Sequence, residues 1–380
     1  MRPTVFLLTL QFTVSWLFSL LFNSYMVLGR AHRGQNWGNF QRLIAVLAMS
    51  VLLWNRASFP MLALAQLGSV ALFTVLVIAD IRITAPILLP SLRMGDMKSM
   101  LSIIKPSAYF GLFSVSGFLL WQGPILVIQL ILGPAAVALF SVTRMIFNSS
   151  RQLLYVTTYA ISQEITILVG GRNWSELHRL YDVSERLVLF LVTTISIGVL
   201  CFCPAAFSLW LHKPSMYEPG LCLLMAIVSS MMGIKDHKIQ FQWSSNRHQQ
   251  LAVISLCTYG AMCGLSLVTV PRFGITSLML LWLMAETVQT GSILYLNTKL
   301  FPDEVHLSVA PVFRAVGILA LCFVAILWPV FHSKNWSLTT SGVVALLTIS
   351  GTSLISYFAF GLRDVQARVM ARLRRRFTAA

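Results

Sequence analysis

The sequence predicts an all-α bundle of about eleven membrane-spanning helices, and three observations carry that expectation. Hydrophobic residues make up 57% of the 380 positions and charged residues only 11%, against about 25% charged in an ordinary soluble domain. Eleven stretches stay apolar for roughly the 20 residues that a helix needs to cross the hydrocarbon core. Lys and Arg fall almost wholly in alternate loops between those stretches, the pattern that fixes orientation in a bilayer. A surface so poor in charge cannot be solvated by water throughout, so lipid must cover much of it.

In chain order the predicted spans are 4–29, 40–57, 59–80, 106–132, 134–160, 185–211, 216–240, 249–270, 274–298, 309–331 and 338–362. The first, apolar from behind Arg2 to Leu28, is too long for the core of a secretory leader. No small-x-small cleavage pattern follows it, so it reads as a retained helix. The second is the weakest, with a clean apolar core only from Leu43 to Trp54. Gly133-Pro134 divides the fourth from the fifth, a helix stop followed by a helix start. After the fifth, Asn173 with Glu176 makes a capping-box-like start. Trp174, Leu177, Leu180 and Tyr181 then recur at helical spacing, which predicts a short amphipathic helix lying on the membrane. In the tail, Val365, Val369, Leu373 and Phe377 recur every fourth residue among arginines. That pattern predicts either a helix adhering to anionic phospholipids or charge that only holds topology.

Arg2, Arg56, Lys213, Arg272 and Lys334 are the only basic residues on one side of these spans. Every other Lys and Arg, except Arg144 and Arg151 within the fifth span, follows an odd-numbered helix or lies in the C-terminal tail. The N-terminus is therefore expected outside and the C-terminus in the cytoplasm. The same asymmetry accounts for the net charge of +16, so no nucleic-acid partner is expected. The six cysteines all lie in apolar runs without a CxxC pair, and neither a disulfide, a metal nor another cofactor is expected. The chain contains no GxxxxGK[ST], HExxH or GxSxG, and no loop long enough for a soluble catalytic domain, so an enzyme is disfavoured.

Ionisable groups at membrane depth are costly and so are the default functional candidates. Arg144, Asn148 and Arg151 are spaced i, i+4, i+7 and share one face of the fifth helix, with Ser141 one turn earlier. They either face an anion-binding cavity, where a guanidinium fork suits phosphate oxygens, or Arg151 snorkels to the interface while Arg144 pairs with a neighbour. Glu286, with Gln289 and Thr290 following on the same face, is either a proton or cation site or the salt-bridge partner of Arg144 or Arg151. Lys235, Asp236, His237 and Lys238 cluster near the end of the seventh helix, where ordinary interfacial charge is the blander reading.

The stretch Leu132-Gly-Pro-Ala-Ala-Val-Ala-Leu-Phe-Ser-Val-Thr-Arg144 resembles the "LG" junction of Wzx-type polysaccharide repeat-unit flippases. These belong to the multidrug/oligosaccharidyl-lipid/polysaccharide exporter superfamily. The loop Gly170-Gly-Arg-Asn-Trp-Ser-Glu-Leu-His-Arg-Leu-Tyr181 and Leu28-Gly-Arg30 are similar to other segments of that family. The resemblance implies a MATE-like two-lobe fold. In its register, 1–105 is a partial first lobe with three helices and a connector, and 106–298 is a six-helix second lobe. Residues 299–362 are two additional helices and 363–380 a basic tail, as in an N-terminally shortened member. It further implies translocation of undecaprenyl-pyrophosphate-linked oligosaccharide across the bacterial inner membrane for surface polysaccharide such as O-antigen, with other polysaccharide-assembly membrane proteins as partners. Arg144, Asn148 and Arg151 would then hold the pyrophosphate, Glu286 and Gln289 would couple an ion, and Lys235 and Lys238 would be secondary contacts. Two alternatives stand beside it: a MATE-like small-molecule antiporter, and a non-transporting remnant or scaffold.

Overall fold

A bilayer offers no water to backbone N–H and C=O groups, so long apolar segments satisfy them internally as helices. The computed structural model describes residues 2–89, 96–302, 307–332 and 338–363. Its order is α1 (Arg2–Val27), α2 (Ala31–Trp54), α3 (Phe59–Thr84), α4 (Met97–Trp121), α5 (Gly123–Ile131), α6 (Pro134–Ala160), α7 (Ser162–Gly170), α8 (Trp174–Leu209), α9 (Pro219–Ser244), α10 (Gln249–Thr298), α11 (Ala310–His332) and α12 (Leu338–Ala359). Among the described residues there is no strand, and 10 helical segments are long and apolar enough to cross a membrane. Large apolar side chains such as Trp16, Leu130 and Phe358 point outward, where only lipid solvates them. The chain is a multi-pass membrane helix bundle.

One of those ten segments counts twice. The 50 residues of α10 would reach about 75 Å at 1.5 Å per residue, more than twice a hydrocarbon core of about 30 Å. The helix breaks at Gly274 (φ 66, ψ −159), just beyond Pro271, in a backbone region essentially closed to residues with a Cβ. Ser255 Oγ donates to Gln289 Oε1 at 3.0 Å and Tyr259 OH to Glu286 Oε1 at 3.1 Å. Numbers rise in one arm as they fall in the other, so α10 is an antiparallel hairpin with the boundary that the sequence predicts.

The helices form two compact units, Met1–Leu101 and Ser102–Ala380. In the first, α1, α2 and α3 pack around Leu21, Tyr25, Val77 and Ile81. Asp80 of α3 accepts from the Tyr25 hydroxyl, from Arg33 at 2.5 Å and from Trp37 Nε1 at 3.3 Å. In the second, α9 packs against α6, α8, α10 and α11. Gly233 lets its neighbours close in: a Cβ there would lie 2.9 Å from Leu154 of α6 and 3.0 Å from Val192 of α8.

Several boundaries differ from the sequence expectation. Helix α4 starts at Met97, not 106, because the Asp96 carboxylate caps it, accepting from Ser99 N and Oγ, both at 3.0 Å. Those bonds hold Asp96 below the usual carboxylate range. The fourth predicted span is broken before Gly123-Pro124 into α4 and α5. Asn173 does cap a helix, its side chain accepting from Glu176 N, but that helix runs unbroken to Leu209. Leu177 and Tyr181 are buried against Ile165, Phe241, Leu300 and Phe301, so the amphipathic segment seats on protein and not separately on a membrane surface. The predicted tail helix lies outside the described residues.

Candidate functional site

Four consecutive residues of α9 are each turned about 100° from the last, so they address different neighbours. Lys235 Nζ donates to Glu286 Oε2 at 2.6 Å and to Tyr259 OH at 2.7 Å. Asp236 lies 3.2 Å from Arg151 Nε of α6. His237 Nε2 is 2.9 Å from Ser184 Oγ of α8. Lys238 pairs with Glu185 of α8 and lies 4.1 Å over the Tyr181 ring. Both lysines are buried, which corrects the expectation of ordinary interfacial charge. A buried ammonium persists only where a carboxylate meets it, and each of these meets one on another helix.

Beside Lys235 a cavity of about 520 Å³ opens between α4, α6, α9 and the two arms of α10. Its walls are largely aromatic: Phe110, Phe113 and Trp121 of α4, Tyr155 of α6, Trp243 of α9 and Tyr259 of α10. Its polar lining is Arg151, Lys235, Asp236, Gln289 and the serines Ser114, Ser116 and Ser255. The Arg151 guanidinium lies 4.5 Å over the Trp121 ring. Four polar atoms of residues lining this cavity are buried without a hydrogen-bond partner: Arg151 Nε, Gln289 Nε2, Trp243 Nε1 and Asp236 Oδ2. Arg151 and Asp236 are thus close enough to attract each other but are not aligned for a hydrogen bond. An unmet buried donor or acceptor costs about 1–3 kcal/mol, and these atoms lie beneath the cavity surface. The Arg151 side chain itself is 18% exposed and supplies the cation on the wall.

The predicted face of α6 divides by depth. Arg151 reaches the cavity, whereas Arg144 donates to the Trp121 carbonyl at 2.5 Å and lies over the Trp121 and Phe140 rings. That carbonyl ends α4 and lacks a helical partner, so Arg144 caps it. Asn148 is half-buried between the two arginines and is not part of the cavity wall. Lys235 and Gln289 share the cavity with Arg151. Glu286 stands one layer behind, 0% exposed, accepting also from Trp282 Nε1 at 3.2 Å. Its salt-bridge partner is Lys235, not Arg144 or Arg151. Lys238 faces away from the cavity wall.

Sequence reading missed Glu185, Tyr259, Trp121 and Trp243. Glu185 carries a usable signal, an acid that opens a long apolar run, as does Ser255 with Tyr259 at helical spacing. The chain matches no protein-family model and no curated protein.

Proposed function

We propose that this chain is a transporter that moves oligosaccharide units linked to undecaprenyl pyrophosphate across the bacterial inner membrane for surface polysaccharide synthesis. The observation that carries this reading is the aromatic-lined cavity with the Arg151 side chain on its wall. Such a surface favours an oxygen-rich anionic cargo. Phosphate oxygens suit a guanidinium, and sugar rings offer apolar faces to the aromatic side chains and hydroxyls to the polar side chains that line the cavity. The volume lies within the roughly 300–1,000 Å³ of small-ligand sites. In this reading Arg151 and Lys235 meet the phosphates, and Arg144 is a positioning residue that fixes Trp121 beneath Arg151. The N-terminus faces the outside, the C-terminus the cytoplasm, and cargo moves outward.

The test is made in the native host. An Arg151→Ala copy in place of the wild-type gene should lower surface polysaccharide at least tenfold, and an Asn148→Ala copy should not. Unchanged polysaccharide with Arg151→Ala at equal protein level refutes the assignment. A small-molecule antiporter is the second reading, favoured by the Asp236 carboxylate on the cavity wall among aromatic rings, whose faces suit a cation. Loss of drug efflux with Asp236→Asn, together with normal polysaccharide, would favour it.

A further inference from the structure

Lys235 belongs to two places at once. Its side chain lines the cavity, while its ammonium is bound to Glu286 and Tyr259 behind the wall. Glu286 has no exposed surface. Tyr259 and Trp282 donate to its other oxygen, so Lys235 is the one cation that balances it among the described residues. The surrounding charges are otherwise engaged. Asp236 of α9 faces Arg151 of α6, Arg144 of α6 is held on the Trp121 carbonyl, and Lys238 pairs with Glu185. Trp121 of α4 packs on Trp282 with no titratable group of its own.

We propose that Lys235 is a tethered cation that exchanges between Glu286 and the anionic group of the cargo, so that each anion bound brings one proton or monovalent metal cation onto Glu286. This rests on the reading of the cavity as an anion site. An anion beside Arg151 attracts an ammonium carried on a flexible four-carbon stem. When that ammonium swings into the cavity, the Glu286 carboxylate is left uncompensated in a buried site, which low dielectric does not tolerate. The charge is restored in one of two ways. A solvent proton binds Glu286 Oε2 and gives a neutral carboxyl, or a sodium or potassium ion takes the place of Nζ against Oε2 and the Tyr259 oxygen. Release of the anion returns the ammonium and expels the proton or ion, so no net charge accumulates. By linkage, anion and cation raise each other's affinity by the same factor.

The experiment uses the purified full-length chain in detergent with inorganic pyrophosphate as the probe, titrated by calorimetry. Buffers of different protonation enthalpy count protons, and sodium, potassium or choline chloride at equal ionic strength tests for metal ions. Uptake of one proton, with affinity falling about tenfold per pH unit, identifies the proton form. Buffer-independent heat with affinity rising in sodium or potassium over choline identifies the metal-ion form. Glu286→Gln frees Lys235 and should bind pyrophosphate at least tenfold more tightly, with no cation uptake. Lys235→Met should bind at least tenfold more weakly. The double variant Lys235→Met/Glu286→Gln keeps the site neutral and should match the single Lys variant in affinity, which separates loss of the ammonium from loss of fold. Pyrophosphate binding with neither proton uptake nor metal-ion dependence overturns the inference alone, as does Glu286→Gln binding no more tightly than wild type. No binding by either wild type or Glu286→Gln overturns the anion-site reading, and this inference with it.

Discussion

Lys238 and Glu185 form an ion pair whose side chains are 1% and 3% exposed, and removing either partner should destabilise the bundle with opposite pH dependence. Lys238→Met keeps the volume and leaves the Glu185 carboxylate uncompensated against Tyr181. The penalty is capped by the cost of protonating that carboxylate. From an ordinary pKa of about 4.3, that is about 3.7 kcal/mol at pH 7 and about 1 kcal/mol at pH 5. Glu185→Gln leaves the ammonium instead. From an ordinary pKa of about 10.4, its neutralisation costs about 4.6 kcal/mol at pH 7 and about 2 kcal/mol at pH 9. Both pH 7 figures fall within the roughly 3–5 kcal/mol measured for breaking a buried pair. Acid should therefore repair Lys238→Met, and alkali should repair Glu185→Gln. The double variant restores neutrality and forfeits the cation–π contact with Tyr181, about 0.5–2 kcal/mol. It should cost less than either single change. Reversible unfolding in mixed micelles at pH 5, 7 and 9, followed by tryptophan fluorescence, reads all four proteins. Single-variant costs that do not move with pH, or that add up in the double variant, would refute the pairing.

Three further expectations concern backbone and packing. Gly274→Ala places a Cβ at φ 66 and should cost about 1–3 kcal/mol, read as a lower midpoint in the same unfolding assay. Gly123→Ala would bring a Cβ to 2.4 Å from Cys263 Sγ. It should cost about 1–3 kcal/mol, most of it recovered when Cys263→Ala removes that sulfur. His248 is 1% exposed, lies 4.0 Å from the Phe110 ring, and has neither ring nitrogen hydrogen-bonded. Burial holds its pKa below the ordinary value. The unfolded chain therefore binds the proton first as pH falls, and stability is complete above about pH 6.5 and declines below it. His248→Phe should flatten that decline between pH 7 and 5.

What a single sequence displays is local, and the parts of this molecule set by local chemistry were legible. Gly133-Pro134 separates α5 from α6, Asn173 with Glu176 starts α8, and the polar stripe of Glu286 and Gln289 is on one face of α10. The i, i+4, i+7 spacing did place Arg144, Asn148 and Arg151 on one helix face. Spacing could not show that the end of α4 arrives at the level of Arg144 and takes up its guanidinium. Nor could it show that Lys235 and Lys238 are buried. Their carboxylates lie 51 and 53 residues away, and only helix packing brings them together. The surface helix expected at Trp174 failed for a related reason. Its apolar stripe was visible, but nothing local revealed that Phe241 and Phe301 would cover it.

The register of the α10 hairpin also bears on how the chain enters the bilayer. An ionised side chain carried alone to the membrane centre is penalised by about 2.5–3.5 kcal/mol on insertion scales. Glu286 does not travel alone, because Tyr259 and Ser255 reach it and Gln289 as soon as the second arm folds back on the first. Lys235 is made earlier and must wait for a carboxylate synthesised 51 residues later, roughly 3–10 s at ordinary rates of translation. Until then its ammonium has to stay near water. The second arm of α10 is thus the piece whose arrival brings Lys235 its carboxylate, ahead of α11 and α12, which complete the packing around α8.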